Sequence, residues 1–320
     1  VFHVLAAVLC LVLIAGGTEA YVRLIVDDGM QFDLEMWKYA RDIKTVSSNP
    51  LIGHQHLPNR AAHLMGVDVA TNSRGLRDRD YAYERTPGTL RVLMLGDSFT
   101  EGWGVPFEDT FSKRIEQMYA AAGRRAEVIN TGVGNWNTTE EAEYFFEEGY
   151  KYQPDVVVLN FFVNDAEPVP RDAPPGFLMI HCYSCVFLAG RVDTLLREAA
   201  DRKDWADYYL GLYGHGTAKG WLDAKAAIRK LADYCRAHDI KFLIASLPEL
   251  HDVQHYRFQE ITDLLNQTAD EEGAAFLDLL PSVQDQDSSR LWVTKPDPHP
   301  NVLANKFFAE ALFRKLRTVE

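Results

Sequence analysis

Arg91-Val92-Leu93-Met94-Leu95-Gly96-Asp97-Ser98-Phe99-Thr100 decides the fold. An apolar run ending in glycine reads as one buried strand, and a helical pattern begins near Phe107. Ser98 therefore stands at the carboxyl end of a strand, beside the amino end of a helix. In an open α/β sheet ligands bind at that edge, and a serine held there becomes a nucleophile when a base reaches it. Gly-Asp-Ser is equally an ordinary strand-to-helix turn in which Ser or Asp caps the helix.

Three further stretches bear on that choice. Near the end, Pro296-Asp297-Pro298-His299-Pro300-Asn301 sets an acid two residues before a histidine in a proline-stiffened loop, followed by an amphipathic stretch from Val302 to Leu316. Ser98, Asp297 and His299 supply nucleophile, orienting acid and base, and chain order does not constrain such a triad. Val128-Ile129-Asn130-Thr131-Gly132-Val133-Gly134-Asn135 is a second strand running into a glycine-rich turn. Val156 to Phe162 is a third, ending at Asn164-Asp165. Each carries polar groups or backbone N–H donors to the sheet edge where an oxyanion would need them.

Taken together, Gly96 to Phe99, Gly132 to Asn135, Asn164-Asp165 and Asp297-Pro298-His299 resemble, in order and approximate spacing, the four motif blocks of the SGNH or GDSL-like hydrolase superfamily, membrane-anchored bacterial type. The resemblance covers roughly residues 88 to 318. It implies a flavodoxin-like α/β/α sandwich with a mostly parallel sheet, and hydrolysis or transfer of ester-linked acyl groups. It also implies Ser98 as nucleophile, His299 as general base and Asp297 as the acid that orients the imidazole. The oxyanion hole would comprise the Ser98 N–H, an N–H from the Gly134-Asn135 turn and the Asn164 side chain.

The chain departs from the family pattern in three places. Asn135 stands at the usual second-block glycine, and Asn is among the residues that best tolerate positive φ. Phe162 stands at the third-block glycine, which narrows the pocket or alters its floor. Asp297 precedes His299 by two residues rather than three.

With 320 residues, 47% hydrophobic and 25% charged, one large α/β domain with an appendage is expected. A net charge of −13 without a basic patch or phosphate loop argues against nucleic acid and suits neutral or weakly charged esters. Residues 1 to 18 are almost unbroken apolar, and with Ala20, Tyr21 and Val22 the segment approaches the ~20 residues of a bilayer span. An uncleaved anchor, residues 1–26, is expected over a signal peptide, whose apolar core usually runs ~7–15 residues. The bilayer would thus be met by residues 1–22, and by resemblance to anchored relatives the catalytic domain would be periplasmic or extracellular.

Residues 27–88 read as a membrane-proximal segment packing on the hydrolase domain, residues 89–320, with a helix over Asp33 to Ile43. The arginines of Asn72-Ser73-Arg74-Gly75-Leu76-Arg77-Asp78 read as structural ion pairs or anion ligands. His54, His56 and His63 lack the fixed helical pairing and carboxylate spacing of a zinc site, so no metal and no cofactor are expected. Residues 166–216 read as an insertion suited to a lid or substrate wall, with Cys182 and Cys185 as a local disulfide or two buried thiols. Helices over Thr217 to His238 and His255 to Glu272 alternate with strands Ile240 to Ser246 and Ala275 to Leu279, a covered parallel sheet. His251 and His255, four apart, could share a helix face, but without an accompanying metal-site acid pattern they read as solvated or rim residues.

These readings converge on a serine esterase or O-acyltransferase acting through an acyl-enzyme on extracytoplasmic carbohydrate or lipid esters. Acetylated polysaccharide or lipid is the expected substrate class. The altered glycines also fit a weak or inactive accessory subunit of a membrane protein complex, with the anchor meeting a membrane protein partner.

Overall fold

The computed structural model describes residues 1–169, 180–199, 205–295 and 297–320. Residues 170–179 and 200–204 of the expected insertion, and Pro296, lie outside them.

The chain begins with α1 (Phe2–Tyr21), continued by a π-helical turn over Val22–Val26. Together they make a rod of 25 residues, long and apolar enough to cross a membrane, and no residue of α1 is buried against the rest of the protein. Among the described residues it is the one such helix. Next come α2 (Phe32–Asp42) and two short hairpins, β1 (Lys44–Val46) with β2 (His54–His56) and β3 (Ala61–Leu64) with β4 (Val67–Ala70). The side chain of Gln31 caps α2 by accepting the Leu34 N–H.

The central sheet contains β5 (Leu90–Gly96), β6 (Ala126–Asn130), β7 (Val156–Phe161), β8 (Lys241–Ser246) and β9 (Ala275–Asp278). All four pairings are parallel, in the order β6-β5-β7-β8-β9. Counted within the sheet this is 2-1-3-4-5, the flavodoxin-like order, whose ligand crevice opens where the order reverses, beside the first strand.

Burial on both faces explains why residues 92–95 of β5 and 156–159 of β7 are continuously apolar rather than alternating. Leu93, Leu95, Val157 and Leu159 face α5 (Thr138–Glu147), α8 (Lys219–Ala237) and α9 (Gln259–Glu272). Val92, Met94, Val156 and Val158 face α4 (Phe111–Ala121) and α10 (Val302–Val319). Each such side chain contributes roughly 1.5–3 kcal/mol relative to exposure. The four-residue helix α3 (Ser98–Glu101) follows β5, and β10 (Trp292–Thr294) pairs antiparallel with β11 (Asp297–Pro300) just before α10.

The described part of the insertion forms α6 (Tyr183–Ala199) and α7 (Trp205–Tyr213). Cys182 and Cys185 form a disulfide at the start of α6. His251 and His255 do not share a helix: α9 starts only at Gln259. Each imidazole instead meets a local carboxylate, His251 that of Glu249 and His255 that of Asp252. The residues between them form Asx-type turns, with the Gln254 and His255 N–H groups donating to Asp252 Oδ1.

The segment before β5 is tied to the sheet by buried polar groups. Arg77 donates to the carbonyls of Glu101, Gly102 and Val105 at 3.1, 2.5 and 2.7 Å, so it is a structural cation and not an anion ligand. Lys113 Nζ meets Asp78 Oδ2 at 2.7 Å, and that oxygen also accepts the Asn130 N–H at 2.9 Å. His54 and His56, two apart on one strand, are both buried, whereas His63 is exposed and pairs with Asp68.

Candidate active site

Strand β5 delivers Asp97 and Ser98 to the crevice. The Asp97 side chain caps α3 by accepting the Phe99 N–H at 2.9 Å, which leaves Ser98 as the first residue of the helix. Its N–H has no intrahelical partner there, and the side chain is nearly buried.

Strand β11 explains the short acid-to-histidine spacing. Residues two apart on an extended strand project to the same side, and Pro298 and Pro300 restrict the backbone on either side of His299. His299 Nδ1 lies 2.5 Å from Asp297 Oδ1, an oxygen that also accepts the His299 N–H at 3.1 Å. A ring nitrogen this close to a carboxylate oxygen carries the proton, so Nε2 presents its lone pair. Nε2 lies 2.9 Å from Ser98 Oγ, the donor it accepts from. Asp297 is fully buried, and its other oxygen accepts the Trp103 Nε1–H at 2.9 Å. Burial raises the Asp297 pKa, but the donors from His299 and Trp103 and the nearby imidazole outweigh it and hold the carboxyl below its ordinary range.

Strand β6 ends at Asn130, whose side chain donates to the Thr100 carbonyl at 2.7 Å and accepts the Gly132 N–H at 3.0 Å. The turn then passes so close to α3 that a Cβ on Gly132 would sit 2.3 Å from the Glu101 nitrogen. Of the two expected oxyanion amides, Gly134 is not available: its N–H donates to Tyr39 Oη at 3.0 Å. Tyr39 Oη in turn lies 2.6 Å from His56 Nε2, and His56 Nδ1 lies 3.0 Å from the Gly75 carbonyl. Burial and the nearby Lys44 ammonium press the His56 pKa down to about 3, so the ring is neutral, donates through Nδ1 and accepts the Tyr39 proton at Nε2. Asn135 is exposed, adopts φ 67°, and its N–H meets no acceptor among the described residues.

Strand β7 pairs Asn160 with Gly96, so the loop after it shares the edge of Ser98. The Asn164 side chain there makes no hydrogen bond among the described residues, and its Oδ1 is buried. Phe162 stacks on Phe99 with ring centroids 4.1 Å apart, and Phe99 lies 5.4 Å from the His299 ring. The bulk at the family glycine position thus forms an aromatic wall beside the imidazole.

Behind the serine, Asp97, Glu141 and Asp165 are all fully buried. Asp97 Oδ2 and both Glu141 oxygens have no hydrogen-bond partner among the described residues. Burial pushes Asp97 up to about 6 against the pull of the Phe99 N–H and His299. Burial, then repulsion from neighbouring carboxylates, Asp165 beside Glu141 and Asp97 beside Asp165, pushes both well above the carboxylate range.

Sequence reasoning missed Tyr39 and Trp103. Trp103 has a local signal, an aromatic donor in the glycine-flanked turn just after Ser98; Tyr39, on a helix of the segment read as membrane-proximal, has none.

The chain belongs to the GDSL-like lipase/acylhydrolase family, whose model matches residues 94–307. It is a serine ester hydrolase of the GDSL type. Solved structures with similar chains include TesA, 14% identical with a TM-score of 0.48, covering 72% of this chain and 99% of that one. The acetylxylan esterase Axe2 from Geobacillus stearothermophilus is 14% identical with a TM-score of 0.48, covering 71% and 94%. The psychrotrophic esterase EstA from Pseudoalteromonas sp. is 13% identical with a TM-score of 0.46, covering 71% and 97%. No curated protein sequence matches the chain.

Proposed function

We propose that Ser98 attacks the acyl carbonyl of an ester while His299 Nε2 takes its proton and Asp297 holds the imidazole in that tautomer. The observation that carries this reading is the continuous hydrogen-bonded chain Ser98 Oγ, His299, Asp297, with spacings of 2.9 and 2.5 Å. The developing oxyanion would be met by the Ser98 and Asn135 N–H groups and the Asn164 side chain. Collapse of the tetrahedral intermediate expels the alcohol, which takes the proton from His299. Water, or a sugar hydroxyl in a transfer reaction, then resolves the acyl-enzyme. The intact Ser98–His299 hydrogen bond favours this reading over an accessory subunit without turnover.

In our reading residues 1–26 anchor the enzyme in a membrane, residues 27–88 form the membrane-proximal segment and residues 89–320 the hydrolase domain, outside the cytoplasm. The substrates are carbohydrate or lipid esters with small acyl groups, which suit the Phe99–Phe162 wall. The full chain, purified in detergent, should release p-nitrophenol from acetyl esters faster than from longer ones. Ser98→Ala should lower turnover by at least ~10³-fold with an unchanged melting profile. Equal turnover in the two proteins would refute the assignment.

A further inference from the structure

Helix α6 has two unlike faces. Its inner face packs on the end of the apolar rod and on α2: Val186 is buried with Val22 and Leu34, and Tyr183 and Phe187 pack beside them. At Gly190 the approach is so close that a Cβ would lie 2.9 Å from the Asp33 carboxylate. At about 100° per residue, Leu188, Val192 and Leu195 fall within ~60° of one another on the opposite side. They are 49%, 52% and 62% exposed. An outward face turned to water is normally polar, and this one carries three large aliphatic side chains.

The start of α6 is fixed to the rod. Glu19 accepts the N–H groups of Tyr183 and Ser184 at 3.0 and 2.8 Å and the Ser184 hydroxyl at 2.6 Å, so a residue of α1 caps α6. Arg23 bonds Glu19 at 2.7 Å and the His181 carbonyl at 2.6 Å, and its guanidinium lies 4.1 Å from the centroid of the Tyr183 ring. The apolar surface of the rod continues through exposed Tyr21, Leu24 and Ile25 to this junction.

We infer that α6 is an interfacial helix, lying on the lipid surface beside the point where the rod enters, with Leu188, Val192 and Leu195 among the acyl chains. The inference rests on the reading that Phe2–Val26 spans the bilayer. The occupant is lipid because the exposed stripe belongs to the helix that is capped by the anchor itself, and faces away from the protein body. Amphipathic helices bind membranes in this way through one apolar face.

The test places the full chain in vesicles of phosphatidylcholine with a minor share of phosphatidylglycerol. Nitroxide labels at Val192→Cys and Leu195→Cys, each in a Cys10→Ser background, are compared with one at Lys219→Cys, an exposed position on α8. Cys235 is buried and Cys182 and Cys185 are paired, so neither competes for label. Labels at 192 and 195 should collide with a water-soluble nickel chelate at least ~3-fold less often than the label at 219, and more often with oxygen dissolved in lipid. A label on native Cys10 reports the anchor independently. Lipid exposure at Cys10 with water exposure at 192 and 195 would overturn the inference and leave the anchor standing. Water exposure at Cys10 would remove both. Spin–spin broadening between labels at 192 would assign the face to a second copy of the chain and likewise overturn the lipid assignment.

Discussion

Trp103 Nε1 donates to Asp297 Oδ2 at 2.9 Å, joining the turn after Ser98 to the strand that carries Asp297 and His299. Both groups are buried, so water does not replace the bond when it is lost. Trp103→Phe should lower kcat about 10-fold with little change in KM, in line with the ~1–3 kcal/mol cost of an unpaired buried acceptor. Removing a donor that holds Asp297 down raises its pKa. The acidic limb of the kcat profile should therefore move to higher pH, a shift that loss of packing alone would not produce.

Tyr39→Phe strands the Gly134 N–H and the His56 acceptor together. Stability should fall by about 1–3 kcal/mol in denaturant titration, with a parallel fall in kcat as the Gly134-Asn135 turn loosens. An unchanged kcat would mean that the turn holds its position without the phenol.

At position 135 only the backbone is invoked. Asn135→Gly should keep full activity, and Asn135→Ala should keep the amide but lose about 1 kcal/mol of stability at its positive φ. Asn164→Ala, by contrast, removes a proposed donor and should lower kcat by roughly 10²–10³-fold.

The Phe99–Phe162 stack gives a steric prediction. Phe162→Gly should shift the preference among p-nitrophenyl esters toward longer acyl chains, and an unchanged preference would show that the wall does not bound the acyl site.

The buried carboxyls set a pH dependence of stability. Asp97, Glu141 and Asp165 are raised in the folded state, so between the ordinary carboxyl range and their folded values the native protein binds more protons than the unfolded chain. Their contribution is fully present below the unfolded pKa and is lost as pH rises, for Asp97 through about 6. Asp297, depressed when folded, acts oppositely, its contribution being lost as pH falls through its folded pKa. Melting temperatures should decline from pH 5 to pH 8, and Glu141→Gln should make that decline shallower.

The strand-to-helix passage through Ser98 and the order of the four blocks were legible because each is local: a buried run, a turn and a cap within ten residues. The shape of the last block was less so. Read as a loop, the spacing from Asp297 to His299 looks one residue short; as a strand it puts both side chains on one side. Which amide of the Gly134-Asn135 turn stays free depends on Tyr39, 95 residues earlier, and no local pattern records that contact. His251 and His255 are the solvent-facing residues the sequence suggested, but not on one helix, because Asp252 offers the backbone an alternative to helix.

The reach of Tyr39 and Arg77 into the crevice bears on where the gene can be cut. A fragment opening at Leu90 would encode every strand of the central sheet and all three members of the hydrogen-bonded chain. It would also leave the Gly134 amide and the carbonyls of residues 101, 102 and 105 without the partners that hold them. The smallest portable enzyme is therefore longer than its sheet, and a graft of this chemistry onto another protein has to bring Tyr39, Arg77 and the residues between them with it.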